Sequence, residues 1–167
     1  MPRVFLSLGS NIDARRHLAA ALDALAARFG ALALSPVYES PAVGFAGDNF
    51  LNLVVGIDTD LAVGALAREL RAIEAANQRQ RGAAKFCPRT LDIDILTYGD
   101  RRGVIDGVQL PRDEILRYAF VLRPLADLAP AALHPERHKT YRELASELNF
   151  PDQPLWPVAF RWPAAMP

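Results

Sequence analysis

The chain has 167 residues, enough for one domain, spanning 1–167, with a core that needs no staple. Its 19 Lys and Arg balance its 19 Asp and Glu, and this zero net charge argues against a dedicated nucleic-acid binder, whose footprint is basic. The single cysteine, Cys87, excludes an intrachain disulfide and fits a reducing cytoplasm, and no stretch approaches the roughly 20 apolar residues of a membrane span. The apolar run near the N-terminus is also too short for the core of a signal peptide. A cytoplasmic, monomeric protein with no nucleic-acid or membrane partner is the expectation.

In chain order, Val4 to Leu8 is a nearly continuous apolar run that predicts a buried strand, broken by Gly9, Ser10 and Asn11. Asp13 is placed to cap a helix whose stripe is Leu18, Leu22, Leu25 and Phe29, with Gly30 as its stop. Leu32, Leu34 and Tyr38 fall on one face of a second strand, near Pro36. Ser40 to Asp48 reads as a loop. Asn49 to Asp58 alternates clearly, with Leu51, Leu53, Val55 and Ile57 on one face and Phe50, Asn52, Val54 and Gly56 on the other.

Asp60 is placed to cap the next helix, with the stripe Val63, Leu66, Leu70 and Ile73. Asn77 to Pro88 is a polar, basic loop. Leu91, Ile93 and Ile95 then share one face of a strand, and Asp92 and Asp94 share the other. Gly99 to Gly107 reads as a polar turn, and Pro111 suits the first turn of a short helix. Phe120 to Leu128 is a helical segment interrupted by Pro124. Thr140 and Glu143 have capping-box spacing before a helix through Leu148. Residues 151–167 form a Pro- and Trp-rich tail that the pattern does not place. The order β-α-β-β-α-β predicts an α+β, ferredoxin-like antiparallel sheet with helices packed on it in three layers.

Chemistry concentrates around Asp92 and Asp94. Two carboxylates projecting side by side repel unless a cation lies between them, and carboxylate oxygens are what Mg²⁺ prefers. The alternative is a solvated polar strand face, and an isolated Asp-x-Asp favours that alternative, because the pattern is short. Upstream lie Arg71, Arg79, Arg81, Lys85 and Arg89, whose charges suit phosphate oxygens. Acidic pair and basic cluster together make the inventory of a metal–triphosphate site. Phe50 and Asn52, on one strand face, suit a planar heterocycle that carries an amide: the ring stacks and the amide reads its edge. Phe120 offers a second ring or a core contact. His17, His134 and His138 have no metal-ligand spacing and read as surface or hydrogen-bonded residues.

Three strings then become specific. FLSLGSN, SPVYESPAVG with FLN shortly after, and CPRTLDIDIL resemble the hydroxymethyl-dihydropterin pyrophosphokinase family, and the likeness runs from about residue 3 through FVLRPLADLAP. The resemblance implies a ferredoxin-like fold. It also implies a folate-pathway reaction in which the β,γ-diphosphate of ATP passes to the hydroxymethyl group of 6-hydroxymethyl-7,8-dihydropterin, releasing AMP. By the same resemblance, Asp92 and Asp94 ligate two Mg²⁺ ions. Arg79 and Arg81 serve the phosphates and Arg89 the phosphates or the pterin side, with Arg79 and Arg89 joining the aspartates in catalysis. Leu70, Arg71, Glu74, Phe86, Ile95 and Arg112 match nucleotide-side positions. Ser40, Pro41, Val43, Phe50, Asn52 and Phe120 match the pterin pocket, where Asp92 also reaches the substrate.

The departures lie on the nucleotide side. Phe86 and Cys87 stand where the family commonly has Trp and Gly, Arg112 where it has His after the proline, Tyr118 where it has an arginine, and Arg71 at a position that is often Gln. Two rival readings follow: a paralogue that binds without turnover, and an RNA-binding ferredoxin-like domain. The second lacks both the RNP string and a basic surface.

Overall fold

The computed structural model describes residues 1–43, 46–77 and 91–163. Strand β1 (Arg3–Ser10) and helix α1 (Ala14–Phe29) open the chain. They are followed by β2 (Ala33–Leu34), β3 (Val37–Ser40), β4 (Phe50–Asp58) and α2 (Val63–Ala76). Then come β5 (Asp92–Tyr98), β6 (Gly103–Ile105), β7 (Val108–Leu110), a 3-10 turn (Asp113–Leu116), α3 (Ala119–Leu128), α4 (Tyr141–Leu148) and β8 (Trp156–Val158).

The main sheet runs β5-β1-β4-β3-β8, with β2 also on β4, and every pairing is antiparallel. Alternation along the central strands builds two cores. Val4, Leu6 and Leu8 of β1 join Leu51, Leu53, Val55 and Ile57 of β4 against the stripes of α1 and α2. Val54 and Leu96 face the other way, onto Val121, Leu122 and Leu125 of α3 and Tyr141 and Leu144 of α4. This is the three-layer α+β, ferredoxin-like plan that the sequence predicts.

Several local expectations need correction. The first strand does not end at Leu8, because Gly9 and Ser10 stay in register with both β4 and β5. Leu34 and Tyr38 do not share a face. Ser35 and Pro36 interrupt the strand, Ser35 exchanges hydrogen bonds with the Val54 backbone, and Tyr38 turns to the α3 side, where its hydroxyl bonds Asp127. Asp13 precedes α1 but makes no side-chain cap, because its carboxylate pairs with Arg16 at 2.7 Å. Asp60 does not cap α2. The residue before that helix is Ala62, and Asp106 Oδ2 accepts from Gly64 N from across the fold. The polar turn contains the β6–β7 hairpin, turned by Asp106 and Gly107 at positive φ. Pro111 stands two residues before the 3-10 turn, and α3 runs through Pro124 without a break.

The tail, unplaced from sequence, adds β8 to the outer edge of β3. Phe160 and Trp162 then pack on the α1–α2 core, and Trp162 Nε1 donates to Asp23. Among the described residues no helix is long and apolar enough to cross a membrane.

Candidate active site

The site begins with strand register. Asp92 pairs with Gly9, Gly9 with Asn52, and Asn52 with Tyr38, so one row crosses β5, β1, β4 and β3. Antiparallel partners project to the same side, so Asp92 and Asn52 share the sheet face that carries α3. The next row brings Asp94, Ser7 and Val54 together. Gly9 keeps the middle of the first row open: a Cβ there would lie 3.2 Å from Asn52 Oδ1 and 3.9 Å from the Phe50 ring.

At one end of the row, Asn52 is 4 % exposed and donates from Nδ2 to Ser40 Oγ at 2.9 Å. With that amide hydrogen engaged, Oδ1 and the second N–H set what the carboxamide can read. Phe50 is half-buried beside it, and Pro41 and Val43 are exposed in the loop that follows Ser40. Phe120 lies at the start of α3, half-buried, with Tyr118 stacked on it at 5.0 Å between ring centroids and 21° between planes. Gln153 fastens this entry to α3: its side chain accepts from Ala119 N at 2.8 Å and donates to Arg117 O at 3.0 Å.

At the other end, Asp92 and Asp94 stand on the edge strand β5. The outward N–H between them, on Ile93, donates to Glu74 Oε2 at 2.8 Å. Glu74 is 1 % exposed, so a buried carboxylate of α2 fixes the position of the acidic strand. Burial first, and the neighbouring Asp92 second, raise the Asp94 carboxyl well above its ordinary range; Arg112 opposes the rise, while Glu114 and Glu74 add to it. Arg112 Nη2 lies 3.6 Å from Asp94 Oδ1, and its Nε lies 3.3 Å from Glu114 Oε1. Desolvation by itself would lower the guanidinium's pKa, but Asp94 and Glu114 outweigh it and keep the group charged.

The predicted nucleotide-side residues divide into three groups. Glu74 and Arg112 join the aspartates. Leu70 is 1 % exposed inside the α1–α2 core. The Ile95 side chain is buried in the same core, which leaves only its main chain on the site side, and Arg71 is exposed on α2. Arg79, Arg81, Lys85, Phe86, Cys87 and Arg89 lie outside the described residues, as does the rest of the basic loop after Asn77. His17 and His134 are buried and hydrogen-bonded. Gly9, Glu114, Gln153 and the Tyr38–Asp127 pair are neighbours of the site that sequence reasoning did not single out. An open cleft of about 580 Å³, lined by Asp13, Glu39, Asp48 and Leu51 among others, lies elsewhere, because Glu39 and Leu51 alternate away from the face of Ser40 and Asn52.

Among the described residues no three His, Cys, Asp or Glu side chains are grouped to enclose a metal ion. Two adjacent carboxylates on an edge strand are instead a partial oxygen set. Such a set fits Mg²⁺, which keeps water and takes substrate phosphate oxygens rather than filling an all-protein cage.

The family model for 7,8-dihydro-6-hydroxymethylpterin-pyrophosphokinase matches residues 5–130. A 2-amino-4-hydroxy-6-hydroxymethyldihydropteridine pyrophosphokinase of Pseudomonas aeruginosa is 40% identical over 141 residues, covering 81% of this chain and 86% of its own length. One from Methylorubrum extorquens is 41% identical over 134 residues, covering 78% and 84%. The crystal structure of wild-type Plasmodium falciparum HPPK-DHPS with STZ-DHP superposes with a TM-score of 0.69 at 15% identity, over 87% of this chain and 43% of that longer one, a likeness of fold. With the match spanning both ends of the Asp92–Asn52 row, the chain belongs to the 7,8-dihydro-6-hydroxymethylpterin-pyrophosphokinase family.

Proposed function

We propose that this pyrophosphokinase moves the β,γ-diphosphate of ATP onto the hydroxymethyl oxygen of 6-hydroxymethyl-7,8-dihydropterin, releasing AMP, and that Asp92 and Asp94 hold the Mg²⁺ it requires. The observation that carries the reading is the row Asp92–Gly9–Asn52 on one sheet face. Two strand spacings, about 10 Å, separate an amide-reading end from an acidic end. Only a glycine lies between them, so a flat substrate can rest on the sheet with its alcohol toward the carboxylates.

Asn52, held by Ser40, reads the edge of the pterin, and Phe50 and Phe120 offer ring faces for stacking. Pro41 and Val43 border the ring from the loop. The pterin oxygen attacks the β-phosphorus in line as the bond from that phosphorus to the AMP oxygen breaks. Asp92, in the row that leads to Asn52, orients the incoming hydroxyl. Two Mg²⁺ ions would supply charge neutralisation on the phosphates and a more acidic alcohol. Arg112 adds a cation beside the aspartates, and Arg79, Arg81 and Arg89 are the further cations we assign to the phosphates. Both ends of the site come from one chain, which suits a monomer working on small molecules in the cytoplasm.

The test is AMP release from Mg-ATP with and without the pterin, beside Asp94→Ala. Pterin-dependent AMP that falls at least about a hundredfold in the variant is expected. AMP that ignores the pterin, or survives the substitution, would sink the reading. A second reading, binding without turnover, is favoured by one observation: a protein cation already sits on Asp94. A folded chain that binds pterin and makes no AMP would select it.

A further inference from the structure

Arg112 is held tightly at its backbone, where its N–H donates to Leu96 O at 2.8 Å, two residues past Asp94 on β5. Its guanidinium is less well satisfied. Nε is buried and forms no hydrogen bond, although Glu114 Oε1 is only 3.3 Å away, so that contact is ionic and poorly aligned. Nη2 meanwhile lies 3.6 Å from Asp94 Oδ1. The position is thus better explained by charge than by hydrogen bonding: the guanidinium neutralises a carboxylate that Asp92, Glu114 and Glu74 all repel.

We infer that Arg112 is the resident counter-cation of Asp94 in the metal-free protein, and that a divalent ion must displace it to reach that carboxylate. The inference rests on the reading of Asp94 as a metal ligand. Once displaced, the guanidinium keeps Glu114 and needs a second anion. A nucleotide phosphate supplies one, because a guanidinium pairs with phosphate as readily as with carboxylate. Metal and nucleotide therefore bind cooperatively. The ion alone must break an ion pair, whereas the ion with ATP exchanges one pair for another.

Removing the charge spares the incoming divalent ion a like charge beside Asp94. The experiment measures Mn²⁺ affinity from the electron paramagnetic resonance signal of the free ion at pH 8. Arg112→Gln is expected to bind Mn²⁺ about tenfold tighter than wild type without nucleotide, and Arg112→Lys to stay within about threefold of wild type. With a non-hydrolysable ATP analogue present, the advantage of Arg112→Gln shrinks to under about threefold or reverses. Arg112→His, shorter and neutral at that pH, is the second neutral variant and follows Arg112→Gln.

Neutral variants that bind Mn²⁺ no tighter than wild type overturn the inference, as does an advantage that is the same with and without the analogue. Asp94→Asn separates the two layers. If it binds Mn²⁺ as well as wild type does, the metal-site reading itself is wrong. If it loses binding while the neutral variants gain nothing, only the role given to Arg112 fails.

Discussion

Gly9 has no side chain, and the row across the sheet uses the space. A methyl group there would press on Asn52 Oδ1 from 3.2 Å, while the Ser40 hydroxyl holds the same carboxamide from its nitrogen end. Gly9→Ala is therefore expected to turn Asn52 away from the pterin edge and weaken pterin binding about tenfold, with little change in thermal midpoint. In an Asn52→Ala background the extra methyl has nothing to displace and should cost nothing further. Equal losses in the two backgrounds would show that Gly9 acts some other way. The glycine is visible in the sequence but not its use: a hydrophobic pattern registers side chains, and so predicts a strand that stops at Leu8. Strand pairing to both neighbours is what carries it on through Gly9 and Ser10. Arg112 shows the converse. Its identity stood out as a departure from the family, but its pairing with Asp94 depends on the backbone bond to Leu96, a contact that no local pattern encodes.

Among whole elements, the ones legible in advance are those whose signals are local. The capping box of α4 forms as its spacing predicts, with Thr140 Oγ1 accepting from Glu143 N and Glu143 Oε1 accepting from Thr140 N. The caps expected from Asp13 and Asp60 fail because a nearby cation takes one carboxylate and a distant hairpin supplies the other helix end. The loop leading into α4 depends on His134, which is 1 % exposed and whose Nδ1 accepts from Glu136 N and Arg137 N, both at 3.1 Å. An acceptor at Nδ1 must be unprotonated there, and burial lowers the His134 pKa below its ordinary 6.5. The unfolded chain therefore takes up this proton first as pH falls. The stabilisation is complete above about pH 6.5 and is lost progressively below it, down through the folded-state pKa. Urea midpoints at pH 7.5, 6.5 and 5.5 for wild type and His134→Asn should show the wild-type advantage shrinking on acidification. A constant gap would mean that the imidazole's protonation does not matter to the fold.

At the scale of the whole molecule, the alternation of β4 foretells both cores, because each face of a central strand needs a partner layer. Nothing comparable announces β8. Its Trp156 is 39 % exposed, its partner β3 lies more than a hundred residues away in sequence, and a strand of three residues has no period to read. The tail nevertheless closes one flank. It covers the edge of β3, and Phe160 and Trp162 extend the α1–α2 core. Ending the chain after Leu155 removes these contacts while keeping Gln153 at the start of α3. Partial burial of two aromatic side chains is worth about 2–3 kcal/mol, which in a chain of this size corresponds to a midpoint lowered by about 5–10 °C. The bared β3 edge should also make the shortened protein associate as concentration rises. Asp92 and Asp94 stand on the opposite edge strand, β5, so Mn²⁺ binding below the new midpoint should be retained. A midpoint unchanged in calorimetry would place the tail outside the cooperative unit, and loss of Mn²⁺ binding in a protein still folded would show that the two sheet edges are coupled through β1, β4 and β3.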